Sequence, residues 1–257
     1  MAAASGDDNE SIEEHKQALI HPAAMLYGVQ KMFGDQARVK AKQAYGRLID
    51  AHLLVAGVLG AGLLRTNGVV TPITATSEER NALFAGFVIG LNACESAIEE
   101  ARYLQAHALL RQEMEILAQL KAVREGRRKP NGSPNVTALE KSLRRLYGDL
   151  TAAAHVSRHD IVETVTAWEG PMEDIPGPTA MTRYFPETDA GLARRSFARH
   201  ITMIIHLIKE LSLDYDERHP DHAFTDREHA ALNHAVTLMI AEGLVESDDP
   251  EPLNNQG

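Results

Sequence analysis

The stretch Asp189–Leu213, DAGLARRSFARHITMIIHLIKELSL, decides the fold. At about 100° per residue, Ala193, Phe197, Ile201, Ile204, Ile208 and Leu211 fall on one stripe, the pattern of a helix laid against a core. Arg195, Arg199, Thr202, His206 and Glu210 fall on the opposite stripe. The chain has 257 residues, 44% of them apolar and 24% charged, enough to bury a sizeable core as one large domain or two small ones.

Working outward, the same helical period recurs with no convincing strand alternation, so the fold class is all-α: a bundle of about seven to nine helices. A Ser or Thr followed three residues later by Glu satisfies two orphan N–H groups at a helix start. Ser11–Glu14, Thr76–Glu79, Thr137–Glu140 and Thr225–Glu228 fit that box, with Ser157 and Asp160 a weaker relative. After Thr76 the apolar pattern runs through Leu83, Phe84, Phe87, Val88, Leu91, Ala97 and Ile98 and continues from Leu104 to Val123, where Gly126 is the expected stop. Leu139, Leu143, Leu146 and Leu150 give another helix, and a short one is expected over Arg158–Trp168. Glu169–Thr188 holds Pro171, Pro176, Pro178 and Pro186 without periodicity and reads as a long irregular loop, a lid or a plain surface excursion. The last helix is expected over Asp226–Glu242, ending at Gly243.

Charge divides the chain. The net charge is −10, yet Asp7, Asp8, Glu10, Glu13 and Glu14 with Glu246, Asp248, Asp249 and Glu251 hold nine negatives, which leaves the remainder at −1. The reading is an acidic N-terminal tail over 1–14, a single helical domain over 15–245 and an acidic C-terminal tail over 246–257. Basic clusters at Arg124, Arg127, Arg128 and Lys129, at Lys141, Arg144 and Arg145, and at Arg194, Arg195 and Arg199 permit a nucleic-acid partner. The lone Cys94 excludes an internal disulfide, and the N-terminal residues lack the basic-then-apolar order of a secretory signal. The longest apolar run, Ala51–Leu64, contains His52 and is shorter than the roughly 20 residues of a bilayer span. A cytoplasmic protein with no membrane partner is expected.

Arg199 and His206 lie seven residues apart and so nearly above one another on the helix. An Arg that holds a phosphate beside a His that moves a proton is the minimum equipment for RNA cleavage through the 2′-OH. A solvated polar face opposite an apolar one accounts for the same residues. Arg199-His200, five residues, then His206 resembles the Arg-polar-x-His motif of HEPN-domain ribonucleases. The resemblance implies an all-helical bundle, often dimeric and often of toxin or antiviral systems, with Arg199, His200 and His206 as catalytic residues.

Arg111 to Glu115, followed by Leu150, Thr151 and His155, is also similar to uncharacterised bacterial helical families suspected of being HEPN relatives. Arg111, Glu115 and His155 are expected to form a buried polar network or a pocket, since a helix covered on both sides encloses charges that need partners.

Half of the histidines fall in His200–His234, and Asp214–His222 is rich in Asp and His, but no ligand spacing of a known metal motif is present. No glycine-rich phosphate loop precedes a helix either. No metal and no cofactor are expected. The two readings left open are a metal-independent ribonuclease with RNA as partner and a non-catalytic helical binding or scaffolding protein, either of them a homo-oligomer or bound to another protein.

Overall fold

The computed structural model describes residues 7–70, 72–128, 132, 134–154, 166–168, 180–182 and 185–244. Among these, seven α-helices carry the fold: α1 Asp7–Tyr45, α2 Leu48–Thr66, α3 Ala75–Glu99, α4 Tyr103–Arg124, α5 Lys141–Ala154, α6 Ala190–Arg218 and α7 Asp226–Ala241. A short antiparallel ribbon pairs β1, Thr166–Trp168, with β2, Ala180–Thr182. The all-helical expectation therefore holds, with two local corrections. The last three residues expected in a helix over Arg158–Trp168 are extended, and β2 lies inside the segment read as wholly irregular; residues 169–179 fall outside the described ones.

α6 is the axis of the bundle. It packs against α1, α2, α3 and α4, while α7 covers α2 and α5 covers α4. Its expected stripe, Ala193 through Leu211, is buried throughout, but so are Ala198, Met203, Ile205 and Leu207. The polar stripe is thereby narrowed: Arg195 is exposed, and Arg199, Thr202, His206 and Glu210 are half-buried. Tyr45 of α1 stacks on Phe197 at 4.1 Å between ring centroids, which fixes the end of α1 against the axis. α2 and α3 are long and apolar enough to cross a bilayer by length and composition, and each turns one face into this core.

Helix ends show which local signals are decisive. Thr225 and Glu228 form the expected reciprocal box. At α3 the cap is Thr74, not Thr76, with Ser77 returning the second hydrogen bond. Thr137–Glu140 is no cap, because Asn135 caps a single 3₁₀ turn over Val136–Ala138 before α5 begins at Lys141. α1 starts at Asp7, inside the stretch read as an acidic tail, so Ser11 is an interior residue.

The segment from Thr76 to Val123 is two helices rather than one. Ala101 takes φ 56° after the Glu100 cap, Arg102 N–H donates to Ala97 O at 2.8 Å, and Ala101 N–H donates to Ile98 O at 3.2 Å. This Schellman arrangement recurs at Gly126 and Gly243, where glycine adopts the left-handed backbone without a Cβ penalty.

Candidate metal centre

Four helices each send an ionisable side chain to one point beside the axis. α2 supplies His52, α3 supplies Cys94 and Glu95, α4 supplies Glu113, and α6 supplies His200. His200 is fully buried. Its Nδ1 lies 3.1 Å from Oε2 of Glu113 and 2.9 Å from Oε1; the hydrogen bond goes to Oε2, and Oε1 is buried without a hydrogen-bond partner. Its Nε2 lies 3.4 Å from Oε1 of Glu95, and the same carboxylate oxygen is 3.0 Å from Nε2 of His52. His52 and Glu95 retain side-chain exposures of 21% and 29%, so the cluster is closed at Glu113 and open toward solvent at His52.

The electrostatics follow from this placement. Burial pulls the His200 pKa down, but the Glu113 charge and the hydrogen bonds that the ring donates to Cys94, Glu113 and Glu95 outweigh it and hold the imidazole well above its ordinary value. Burial raises Glu95, while the hydrogen bonds of His200 and His52 hold it down to about 2. Burial also pushes the Cys94 thiol up to about 11, against a hydrogen bond donated by His200, so the sulfur is an inert thiol near neutrality. Glu95 and Glu113 thus flank the His200 ring, and His52 shares the Glu95 carboxylate oxygen with it.

The geometry suits an ion. Two ligand atoms each ~2.1 Å from a metal at tetrahedral to octahedral angles lie roughly 3.0–3.4 Å apart. The two imidazole-to-carboxylate separations are 3.0 and 3.4 Å, and all three ligand atoms lie within 4.8 Å of one another. Nδ1–H of His200 pointing at Glu113 is the outer hydrogen bond that sets the tautomer of a metal-binding imidazole. Cys94, Glu113 and His200 form a second set of the same compactness on the opposite side of the ring. Among the described residues, no such set falls in the Asp/His-rich Asp214–His222 segment, where Asp214 is buried in ion pairs with Arg80 and Arg218.

The residues singled out from the sequence are dispersed. His200 does not share a surface with Arg199 and His206; it faces inward to Glu95 and Glu113. Arg199 and His206 are both half-buried on α6, and Arg199 has interactions of its own. His206 Nε2 is 3.9 Å from Oε2 of Glu140, and burial together with Lys209 and Lys121 lowers its pKa to about 4. Arg111 Nε donates to Oε1 of Glu115 at 2.9 Å, and Tyr147 Oη donates to the same oxygen at 2.9 Å, with the guanidinium 5.5 Å from the tyrosine ring centre. Those two charges are about a quarter exposed rather than enclosed, and the expected third member, His155, lies outside the described residues. The expectation of no metal rested on ligand spacing along the chain, which does not register side chains that converge from separate helices. No protein-family model, curated protein or solved structure matches this chain.

Proposed function

We propose that this chain is a metal-binding helical protein whose divalent first-row ion is held by Nε2 of His52, the Glu95 carboxylate and Nε2 of His200. The convergence of those three ligand atoms from α2, α3 and α6 carries the reading. Two imidazoles and one carboxylate suit Fe(II), Mn(II) or Zn(II) and leave coordination positions for water or a small substrate. Such an ion would supply Lewis acidity, and iron would supply redox chemistry as well. His52 and Glu95, at the solvent-facing edge, admit the small molecule, while Glu113 holds the His200 ring from behind. Binding displaces the Nε2 proton of His200, so uptake of the ion releases acid.

The test is calorimetry on the chelator-stripped full chain with Zn(II), Mn(II) and, under anaerobic conditions, Fe(II). One ion per chain is expected, lost in His52→Ala, which sits at the open edge and leaves the buried His200–Glu113 pair intact. Glu113→Gln should still bind, about 10–100-fold more weakly. Absence of stoichiometric binding, or unchanged affinity in His52→Ala, overturns the proposal.

A second reading keeps the ribonuclease class. What supports it is that His206 stays uncharged near neutrality beside Lys121 and Lys209, as a proton acceptor in a cationic setting requires. It predicts chelator-resistant RNA cleavage that Arg199→Ala and His206→Ala each abolish, whereas the metal reading predicts that neither substitution changes ion affinity. RNA left intact by the folded protein eliminates it.

A further inference from the structure

Residues 12–28 of α1 are exposed on every side, although the helix is continuous from Asp7 to Tyr45. Where α1 meets the body, Gly34, Ala37, Ala41 and Tyr45 are buried at three- and four-residue spacing and define its inward face. Carried toward the N-terminus at about 100° per residue, that face continues through Tyr27, Leu26, Ala23, Ile20, Leu19 and Ile12. The stripe leaves the body uncovered: Leu19 is 64% exposed, Ile20 57%, Leu26 46% and Tyr27 70%. A helix this long without tertiary contacts is marginal in water, and Pro22 inside it removes a further backbone hydrogen bond.

We infer that this face docks on the same face of a second copy of the chain, with the two α1 helices antiparallel and crossing at Ala23. The seam reads the same in both directions about that residue. Leu19 and Ile20 precede Ala23 by one turn, and Leu26 and Tyr27 follow it by one turn. Inverting one helix on the other therefore sets Leu19 against Tyr27 and Ile20 against Leu26, with the small Ala23 of each copy at the crossing, where the axes come closest. Lys16 then stands opposite Gln30. No like charges meet along the seam. A parallel arrangement instead sets Lys16 against Lys16 across the seam.

Sedimentation equilibrium on the full chain should give a dimer that dissociates in Leu19→Glu/Leu26→Glu, with the helical circular dichroism of the body retained. Cys94 is buried, so a single introduced cysteine reports the register. Ala23→Cys should form a disulfide-linked dimer under mild oxidation. Leu19→Cys should not, because antiparallel pairing separates the two copies of residue 19 by about 12 Å along the axis. Three results overturn the inference: a monomer at every concentration, equal cross-linking of Leu19→Cys and Ala23→Cys, or a monomer that sediments with phosphatidylglycerol vesicles through α1. None of them depends on the metal proposal, because the seam is remote in sequence from every ligand.

Discussion

His200 and His206 stand six residues apart on one helix, yet their surroundings drive them in opposite directions. About 240° of helical rotation separates them. His200 is turned to Glu95 and Glu113, and its proton is held well above the ordinary imidazole range. His206 is turned to Lys121 and Lys209 with Glu140 at 3.9 Å, and its pKa is lowered to about 4. Both are desolvated, so burial alone does not decide the outcome. Burial lowers both; at His200 the carboxylates of α3 and α4 overturn it, whereas at His206 Lys209 and Lys121 add to it and only Glu140 opposes it. The short motif that joins these histidines in sequence thus joins two chemically unlike sites.

The sharpest way to break this contrast is to remove the carboxylate from each histidine. In the ion-free chain, Glu113→Ala takes the buried carboxylate from the imidazolium, leaves it only the part-exposed Glu95 at 3.4 Å, and is expected to cost about 3–5 kcal/mol. Glu140→Ala removes an exposed partner and is expected to cost less than about 1 kcal/mol. Urea unfolding of the two variants at pH 7 measures both. Equal losses would mean that His200 is not held as an ion pair.

Next in size is a pH effect at His206. Because the folded value lies below the unfolded one near 6.5, the unfolded chain takes up a proton first as pH falls. Stability from this group is complete above about pH 6.5 and declines between there and pH 4, by on the order of 3 kcal/mol. His206→Asn should flatten that part of the profile when wild type and variant are unfolded in urea at pH 7, 5.5 and 4.5. Parallel profiles would show that the imidazole takes up its proton over the same pH range in the folded and unfolded chain.

The helices were legible because burial on one face leaves a period in the sequence, and α6 displays it over about five turns, from Ala193 to Leu211. Gly126 and Gly243 were legible as stops because glycine is the usual residue at a left-handed cap. Ala101 plays the same part with no such mark, so α3 and α4 read as one helix until backbone bonds from Ala101 and Arg102 show the break. Thr76 and Thr137 matched the box pattern but lost to Thr74 and Asn135, since the cap is chosen by where the preceding chain leaves the helix. The cluster around His200 left only a faint trace: His52 lies in the apolar run Ala51–Leu64, and Glu113 sits beside the buried Leu110, Met114 and Leu117. An ionisable residue on a core stripe needs a partner. Which partner it finds depends on how α2, α3, α4 and α6 pack, and spacing along the chain does not encode that.

The smallest effect tests the source of the His206 shift. Lys209 is exposed, so solvent screens its charge, and its contribution is secondary to burial. Lys209→Gln should raise the His206 midpoint by only a few tenths of a pH unit, read from the imidazole C–H resonances in an NMR titration. Glu140→Gln should move the same midpoint the other way, because that carboxylate favours the protonated ring. Opposite displacements from two neutralising substitutions require that both charges act on the ring through space. If both variants moved the midpoint in the same direction, the substitutions would be altering the packing around His206, and burial would have to carry the whole contrast with His200.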